Sequence, residues 1–457
     1  GPLRWRSPQP LEPHASVYMA TSYGEACVQP PSLLGGMTGD REQIVGSEDC
    51  LTLNIHAPHS GPAVKGEDEA ALPVMVWIHG GANRIGTSRL YNGATLTTDQ
   101  GVVVVTINYR LGVLGWLRHP GLQTGDPLDD SGNYGTLDIV AALRWVQNNI
   151  AGFGGDPNRV TIFGESAGGL NVLSMMTAAP ARGLFHRAIA QSGVTETSPI
   201  ADAPTHLGPM PIMSGALLVE RLQTEQGVQG GGPAQEAERL RQSDAATLVR
   251  LSGGAFEPQH RLFRDGAVLP AEGILACLAD GDCRHDVPLV VGANRDEMTT
   301  FMAFDPYWVK LAYGLPRAMR DPADYGKHAS LASDYWKLRG ADRVAQAAAA
   351  SGLPVWMYRF DWDEEPTILG LDLSKLFGAA HGFEIPFVFN HFTARGMDPL
   401  FNNVNREQRH ALAREMGMYW GSFAAKGIPE GSRSWQSWSA ESPEMIVFDT
   451  PRDGGIR

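Results

Sequence analysis

Positive charge is in short supply in this sequence. The 457 residues include 37 Lys and Arg against 50 Asp and Glu, a formal charge of −13. That balance argues against nucleic acid as a partner, because phosphate binding needs clustered cations. It also argues against docking on an anionic membrane surface. Long apolar runs are missing too. The run Val102-Val103-Val104-Val105-Thr106-Ile107, for example, is strand-sized and far below the roughly 18 residues of a membrane span. No signal peptide is visible, and the chain opens at Gly1-Pro2-Leu3-Arg4-Trp5-Arg6 without Met, as a processed or truncated product would. Cysteine is scarce: four residues, with no CxxC spacing for zinc or redox chemistry. Twenty-two residues separate Cys27 from Cys50 and five separate Cys277 from Cys283. Such spacing admits either two sequential bridges in an oxidising compartment or four buried thiols in a cytosolic protein. No Asn-x-Ser/Thr sequon occurs, so N-glycosylation is not available.

What is present is a core-forming composition, 43% hydrophobic, with 53 Gly and 31 Pro marking many loops and turns. Short apolar, β-rich runs recur at Val74–Ile78, Val102–Tyr109, Val160–Phe163, Arg187–Ala190, Val287–Val291 and Val355–Phe360. They are continuously apolar, as strands buried on both faces are. Helical patterns lie between them, at Leu137–Ile150, Ala167–Thr177, Met213–Gln226 and Arg406–Ala425. Strands alternating with helices predict an α/β fold with a mostly parallel sheet and helices on both faces. Two stretches break the alternation, 195–285 and 299–350. Both are expected to be helical, cap-like insertions over the carboxyl edge of the sheet, within a single domain spanning 1–457.

The sharpest chemical signal is Gly164-Glu165-Ser166-Ala167-Gly168-Gly169, set between an apolar run and a helical pattern. Gly-x-Ser-x-Gly in a strand–turn–helix context is a nucleophile elbow: the sharp turn strains the serine, and only small neighbours fit beside it. The start of the helix that follows offers backbone N–H groups to developing negative charge. A second signal, His79-Gly80-Gly81-Ala82, follows the strand at Val74–Ile78 and can aim N–H groups at an oxyanion. A serine nucleophile needs a base, and the base needs an orienting carboxylate. With 13 His the base cannot be picked by counting. In such a fold the acid and then the histidine should follow later strands, which offers Asp296 or Glu297 as acid and His381 as base.

Further stretches carry a family resemblance over nearly the whole chain: Ser47-Glu48-Asp49-Cys50-Leu51-Thr52-Leu53-Asn54, Trp77-Ile78-His79-Gly80-Gly81, Asn108-Tyr109-Arg110-Leu111-Gly112, Gly132-Asn133-Tyr134-Gly135, Asn149 to Pro157, Ala190-Gln191-Ser192-Gly193, Asn294 to Glu297 and His381-Gly382-Phe383-Glu384. On these the sequence resembles the type-B carboxylesterase and cholinesterase family of the α/β-hydrolase superfold. The resemblance implies Ser166 as nucleophile, Glu297 rather than Asp296 as the acid, and His381 as general base. It implies an oxyanion hole from the N–H groups of Gly81, Ala82 and Ala167, with Glu165 supporting the triad. It further implies disulfides Cys27–Cys50 and Cys277–Cys283, a structural ion pair Arg4–Glu48, a small-molecule ester as partner, and no metal or organic cofactor. Export to a periplasm or beyond the cell follows from the cysteine pairs alone.

The departures from the family are informative. Ala82 stands where a third Gly is usual; a positive φ there would cost Ala roughly 1–2 kcal/mol, whereas a negative φ would leave its N–H free to donate. Asn83-Arg84 replaces residues that are often apolar or aromatic. Either residue could meet a polar or anionic acyl group, or Arg84 could simply be solvated. No aromatic residue lies between Cys27 and Cys50, which makes choline esters poor candidates. The family's opening strands, which would precede Leu3, are expected to be missing. Met298, Phe301, Met302 and Phe304 follow the acid and are candidates for an apolar pocket wall or plain core. The same triad would also serve an amide, carbamate or lactone, and the superfold hosts adhesion proteins with a decayed triad; Ser166, Glu297 and His381 are all present in this sequence.

Overall fold

β-Branched and apolar residues build the centre of the molecule. In the computed structural model, which describes residues 3–12, 15–32, 35–37, 39, 43–58, 71–200, 213–253, 261–393, 400–401 and 405–457, eight strands form one sheet. They are β1 (Leu53–His56), β2 (Leu72–Ile78), β3 (Val103–Ile107), β4 (Gly155–Glu165), β5 (Arg187–Gln191), β6 (Leu289–Asn294), β7 (Val355–Phe360) and β8 (Ile446–Phe448). Their order across the sheet is β1-β3-β2-β4-β5-β6-β7-β8. β1 runs antiparallel to β3 and every other pairing is parallel. Alternation along β2 shows why its run is apolar throughout: Val74, Val76 and Ile78 enter one buried cluster and Met75 and Trp77 the other. Helices cover both faces. α1 (Tyr134–Asn149) and α2 (Ala167–Met175) pack into the first cluster, and α9 (Arg406–Lys426) into the second. The six expected strands all form; β1 and β8, of four and three residues, are too short to stand out in the sequence.

Between β5 and β6 the chain leaves the sheet through α3 (Gly215–Gln226), α4 (Pro233–Gln242), α5 (Ala245–Leu251) and α6 (Ile274–Asp280). Ser214 and Asp244 cap the starts of α3 and α5 by accepting the N–H groups of Leu217 and Thr247, both at 3.1 Å. Residues 201–212 and 254–260 of this first excursion lie outside the described residues. α3, α4 and α5 share a separate apolar cluster with Trp5, Val113 and Leu114, while Ile274 and Leu278 of α6 join the first cluster of the sheet. The Trp5 indole donates to the Val113 carbonyl at 2.7 Å. Arg4 pairs with Glu48 at 2.6 Å and donates to the Leu240 and Ser243 carbonyls at the end of α4.

The second excursion, between β6 and β7, holds a hairpin (Val309–Ala312 with Leu315–Met319), α7 (Pro322–Lys337), a π-helical turn (Leu338–Asp342) and α8 (Arg343–Ala350). The sequence pattern of this stretch reads as mostly helical and does not foresee the hairpin, which turns at Tyr313-Gly314, both at positive φ, as a tight hairpin requires. Cys27–Cys50 and Cys277–Cys283 are both bonded, with Cα atoms 4.9 and 5.5 Å apart. Among the described residues no helix is long and apolar enough to cross a membrane.

Candidate active site

β4 ends at Glu165 and α2 begins at Ala167, leaving Ser166 alone on the turn at φ 60° and ψ −121°. That backbone region is one side chains rarely occupy, and it persists only where the surroundings impose it. Here the Ser166 N–H is tied to the Gln191 carbonyl at 2.9 Å. Glycine is sterically required beside it: a Cβ on Gly164 or Gly168 would lie 2.5 or 2.0 Å from the Ile78 carbonyl oxygen. The His79–Ala82 loop lies directly on the serine, since a Cβ on Gly80 would come within 3.1 Å of the Ser166 Cβ.

That loop is unusual in its dihedrals. Gly81, Ala82 and Asn83 follow one another at φ 100°, 55° and 56°. Ala82 therefore adopts the costly one of its two options, at about 1–2 kcal/mol. Among the described residues no hydrogen bond uses the N–H of Gly81, Ala82 or Ala167. The Ala167 N–H is free because first-turn donors have no partner within their own helix. Burial pushes the His79 imidazole down to about 4, so it is neutral; stacked on Tyr109, it donates from Nδ1 to the Gly80 carbonyl at 2.9 Å.

Glu297 and His381 meet at the same edge of the sheet. His381 Nδ1 and Glu297 Oε2 are 2.5 Å apart, and Glu297 Oε1 accepts the Asn294 N–H at 2.8 Å. Asp296 faces elsewhere: it accepts the Ala379 N–H at 3.0 Å and pairs with Arg295 at 2.8 Å, fixing the loop that carries His381. On its other side, His381 Nε2 lies 3.1 Å from Glu165 Oε1, close enough for an ion pair but not aligned for a hydrogen bond. No hydrogen bond joins Ser166 to His381 among the described residues. A third carboxyl, Glu384, accepts from Gln191 at 3.1 Å and from Asn294 at 2.6 Å, while Gln191 accepts from the Trp420 indole at 3.1 Å. This bracket joins the ends of β5 and β6, and it went unread in the sequence although Glu384 closes a quoted motif. Burial alone would lower the His381 imidazole, but the Glu165 and Glu297 carboxylates overcome it and raise the ring to about 9. Burial pushes the Glu165 carboxyl up to about 8, with His381 opposing. The ring and this carboxyl thus compete for one proton.

Two aromatic residues flank the imidazole. Phe301 lies 5.3 Å from it and Trp336, tilted at 64°, lies 4.9 Å away. Trp336, from α7, is pinned by its indole N–H to the Ser192 carbonyl at 3.0 Å. Sequence reading missed it, because nothing local to a helix 45 residues before His381 signals that contact. Of the other pocket candidates, the Met298 N–H is bound to Ser333 Oγ at 3.0 Å, Met302 is in the core, and Phe304 is exposed. Asn83 is buried, its Oδ1 accepting from Asn171 at 2.9 Å. The solvated Arg84 is corrected: it is 2% exposed and its guanidinium donates to the Ser252 carbonyl and hydroxyl and to the Gly253 carbonyl, just past α5. Arginine is drawn there because a helix end presents unpaired carbonyls with partial negative charge. Among the described residues one group of potential metal donors occurs, Glu272 with Cys277 and Cys283, and its two sulfurs are bonded to each other.

A mostly parallel sheet with a strained serine at the end of a central strand, and with a paired glutamate and histidine on later loops, defines an α/β-hydrolase. Solved structures agree: a thermophilic PNB esterase aligns with TM-score 0.77 at 29% identity, over 100% of this chain and 90% of its own. A carboxylesterase of Geobacillus stearothermophilus aligns with TM-score 0.73 at 32% identity, over 98% and 90%. The model of the carboxylesterase family matches residues 1–311 and 311–453. The para-nitrobenzyl esterase of Bacillus subtilis is 32% identical over 98% of this chain and 88% of its own length, and the fumonisin B1 esterase of Sphingopyxis macrogoltabida is 33% identical over 100% and 82%. The chain belongs to the carboxylesterase family, and it is a carboxylic-ester hydrolase.

Proposed function

We propose that the protein cleaves esters through an acyl-enzyme built on Ser166, with His381 as general base and Glu297 as its acid partner. The observation that carries this reading is the 2.5 Å contact of Glu297 with His381 Nδ1, together with a serine held at φ 60° and three backbone donors without a partner among the described residues. The Nδ1 contact leaves Nε2 as the atom that takes the Ser166 proton when Oγ adds to the ester carbonyl. The carbonyl π electrons move to oxygen, and that oxyanion is met by the N–H groups of Gly81, Ala82 and Ala167. Collapse expels the alkoxide, which takes the proton from Nε2 and leaves as the alcohol. Water, deprotonated at Nε2, then adds to the acyl carbon, and the acid departs as the serine regains its proton. The substrates are neutral esters with an apolar or aromatic acyl group, which the rings of Phe301 and Trp336 beside His381 suit. Both cysteine pairs being closed supports an oxidising, extracytoplasmic location.

The test is hydrolysis of a p-nitrophenyl acyl series, acetate to dodecanoate, by the native protein and Ser166→Ala. Expected is a loss of about a thousandfold or more in kcat with the fold retained. A folded Ser166→Ala protein with native turnover would sink the reading.

A further inference from the structure

The oxyanion loop stands in a conformation its sequence does not favour. Two residues with side chains, Ala82 and Asn83, sit in succession in the left-handed region, which for Ala in particular is unfavourable on its own. Contacts from several elements hold it there. Asn83 is bound through its carbonyl to the Gly112 N–H at 2.7 Å and through its side chain to Asn171. Gln29 brackets Gly86, accepting its N–H at 2.7 Å and donating to its carbonyl at 2.9 Å. These contacts end on the Gly112–Gly115 turn after β3, on α2 and on the disulfide-closed amino-terminal segment. The remaining brace is different. Arg84 follows the two strained residues directly and reaches into the first excursion, where its buried guanidinium donates to Ser252 and Gly253. Arg221 from α3 donates to the neighbouring Leu251 carbonyl at 2.7 Å, so the same helix end receives two cations.

We propose that Arg84 is a positioning residue for the reaction: by anchoring the oxyanion loop to the end of α5 it keeps the Gly81 and Ala82 N–H groups aimed at the reacting carbonyl. This rests on the reading of those N–H groups as the oxyanion hole. Arg84 touches no reacting atom. It acts by making the strained loop the only populated one, so its loss should weaken transition-state binding more than substrate binding.

The experiment compares Arg84→Met and Arg84→Lys with the native protein, using p-nitrophenyl butyrate and an alkyl trifluoromethyl ketone. Addition of Ser166 Oγ to that ketone carbonyl leaves an oxyanion in the same hole. For Arg84→Met, kcat should fall roughly tenfold with KM changing less than twofold, and the ketone should bind more weakly by a similar factor. Arg84→Lys keeps the charge without the planar fork and should fall between the two, which also covers the case that Arg84→Met folds poorly. Adding Ala82→Gly should raise kcat more in the Arg84→Met background than in the native one, because glycine removes the penalty the brace opposes. A folded variant that loses stability yet keeps native kcat and native ketone affinity would overturn the proposal. If Ser166→Ala is inactive in the same series, that outcome strikes Arg84 alone; if Ser166→Ala is active, the underlying reading has failed first.

Discussion

The two excursions from the sheet are held to it in different ways. The first is fastened by arginines that donate into helix ends: Arg4 to the carbonyls closing α4, and Arg84 to those just past α5. The second is fastened by aromatic faces, with Trp336 and Phe301 against His381 and the Trp336 indole on Ser192. A guanidinium fork fixes direction and distance at a polar end, whereas a ring presents apolar area and shape. The first excursion is thus suited to hold a backbone loop in place, and the second to select what lies beside the imidazole.

The largest expected effect breaks the second arrangement. Trp336→Ala removes the ring face next to His381 and its tie to Ser192. The ratio of kcat/KM for p-nitrophenyl benzoate to that for p-nitrophenyl acetate should fall about tenfold, the scale that apolar pocket contacts support. An unchanged ratio would mean that the second excursion only covers the site.

A smaller effect tests where the charge on His381 comes from. The groups facing the ring are Glu165 from the end of β4, Glu297, the more distant Glu384, and the two aromatic residues. The second excursion adds no charge, so the proton is set from the sheet. An ionised Glu165 favours imidazolium and so raises the pKa of His381. In Glu165→Gln that support is gone, the ring loses its proton at lower pH, and the acid limb of the kcat/KM profile should move to lower pH. A limb that stays or moves upward would show that the Nε2 contact does not set the ring's charge.

The same contrast explains what could be read from the sequence. The elbow and the glycine loop are local: Ser166 and its glycines are neighbours in the chain, and the strain that exposes the serine excludes larger residues at once. Chain order pointed to the His381 loop but left Asp296 and Glu297 open. They separate only in three dimensions, where Asp296 is taken by Ala379 and Arg295 and Glu297 reaches Nδ1. Contacts made by the excursions had no local signal. Trp336 and Arg84 meet their partners across 45 and 168 residues, and a surface-type charge pattern gives no warning that an arginine will be buried on a helix end.

The least effect on chemistry should come from the first excursion's outer fastening. Arg4 is nearly buried, but its partner Glu48 is partly exposed, so the ion pair itself is screened and contributes little. The larger loss in Arg4→Met is the group of carbonyls at Leu240, Arg241 and Ser243, left without their donor at the end of α4. That should cost about 2 kcal/mol in chemical denaturation. Because Arg4 braces α4 while Arg84 reaches α5, the benzoate-to-acetate ratio and the ketone affinity should both stay within twofold of native. If instead either moved with stability, the first excursion would act on the site as one body. The distinction between its two arginines would then collapse, and Arg84 would be a special case of how firmly that whole layer is held.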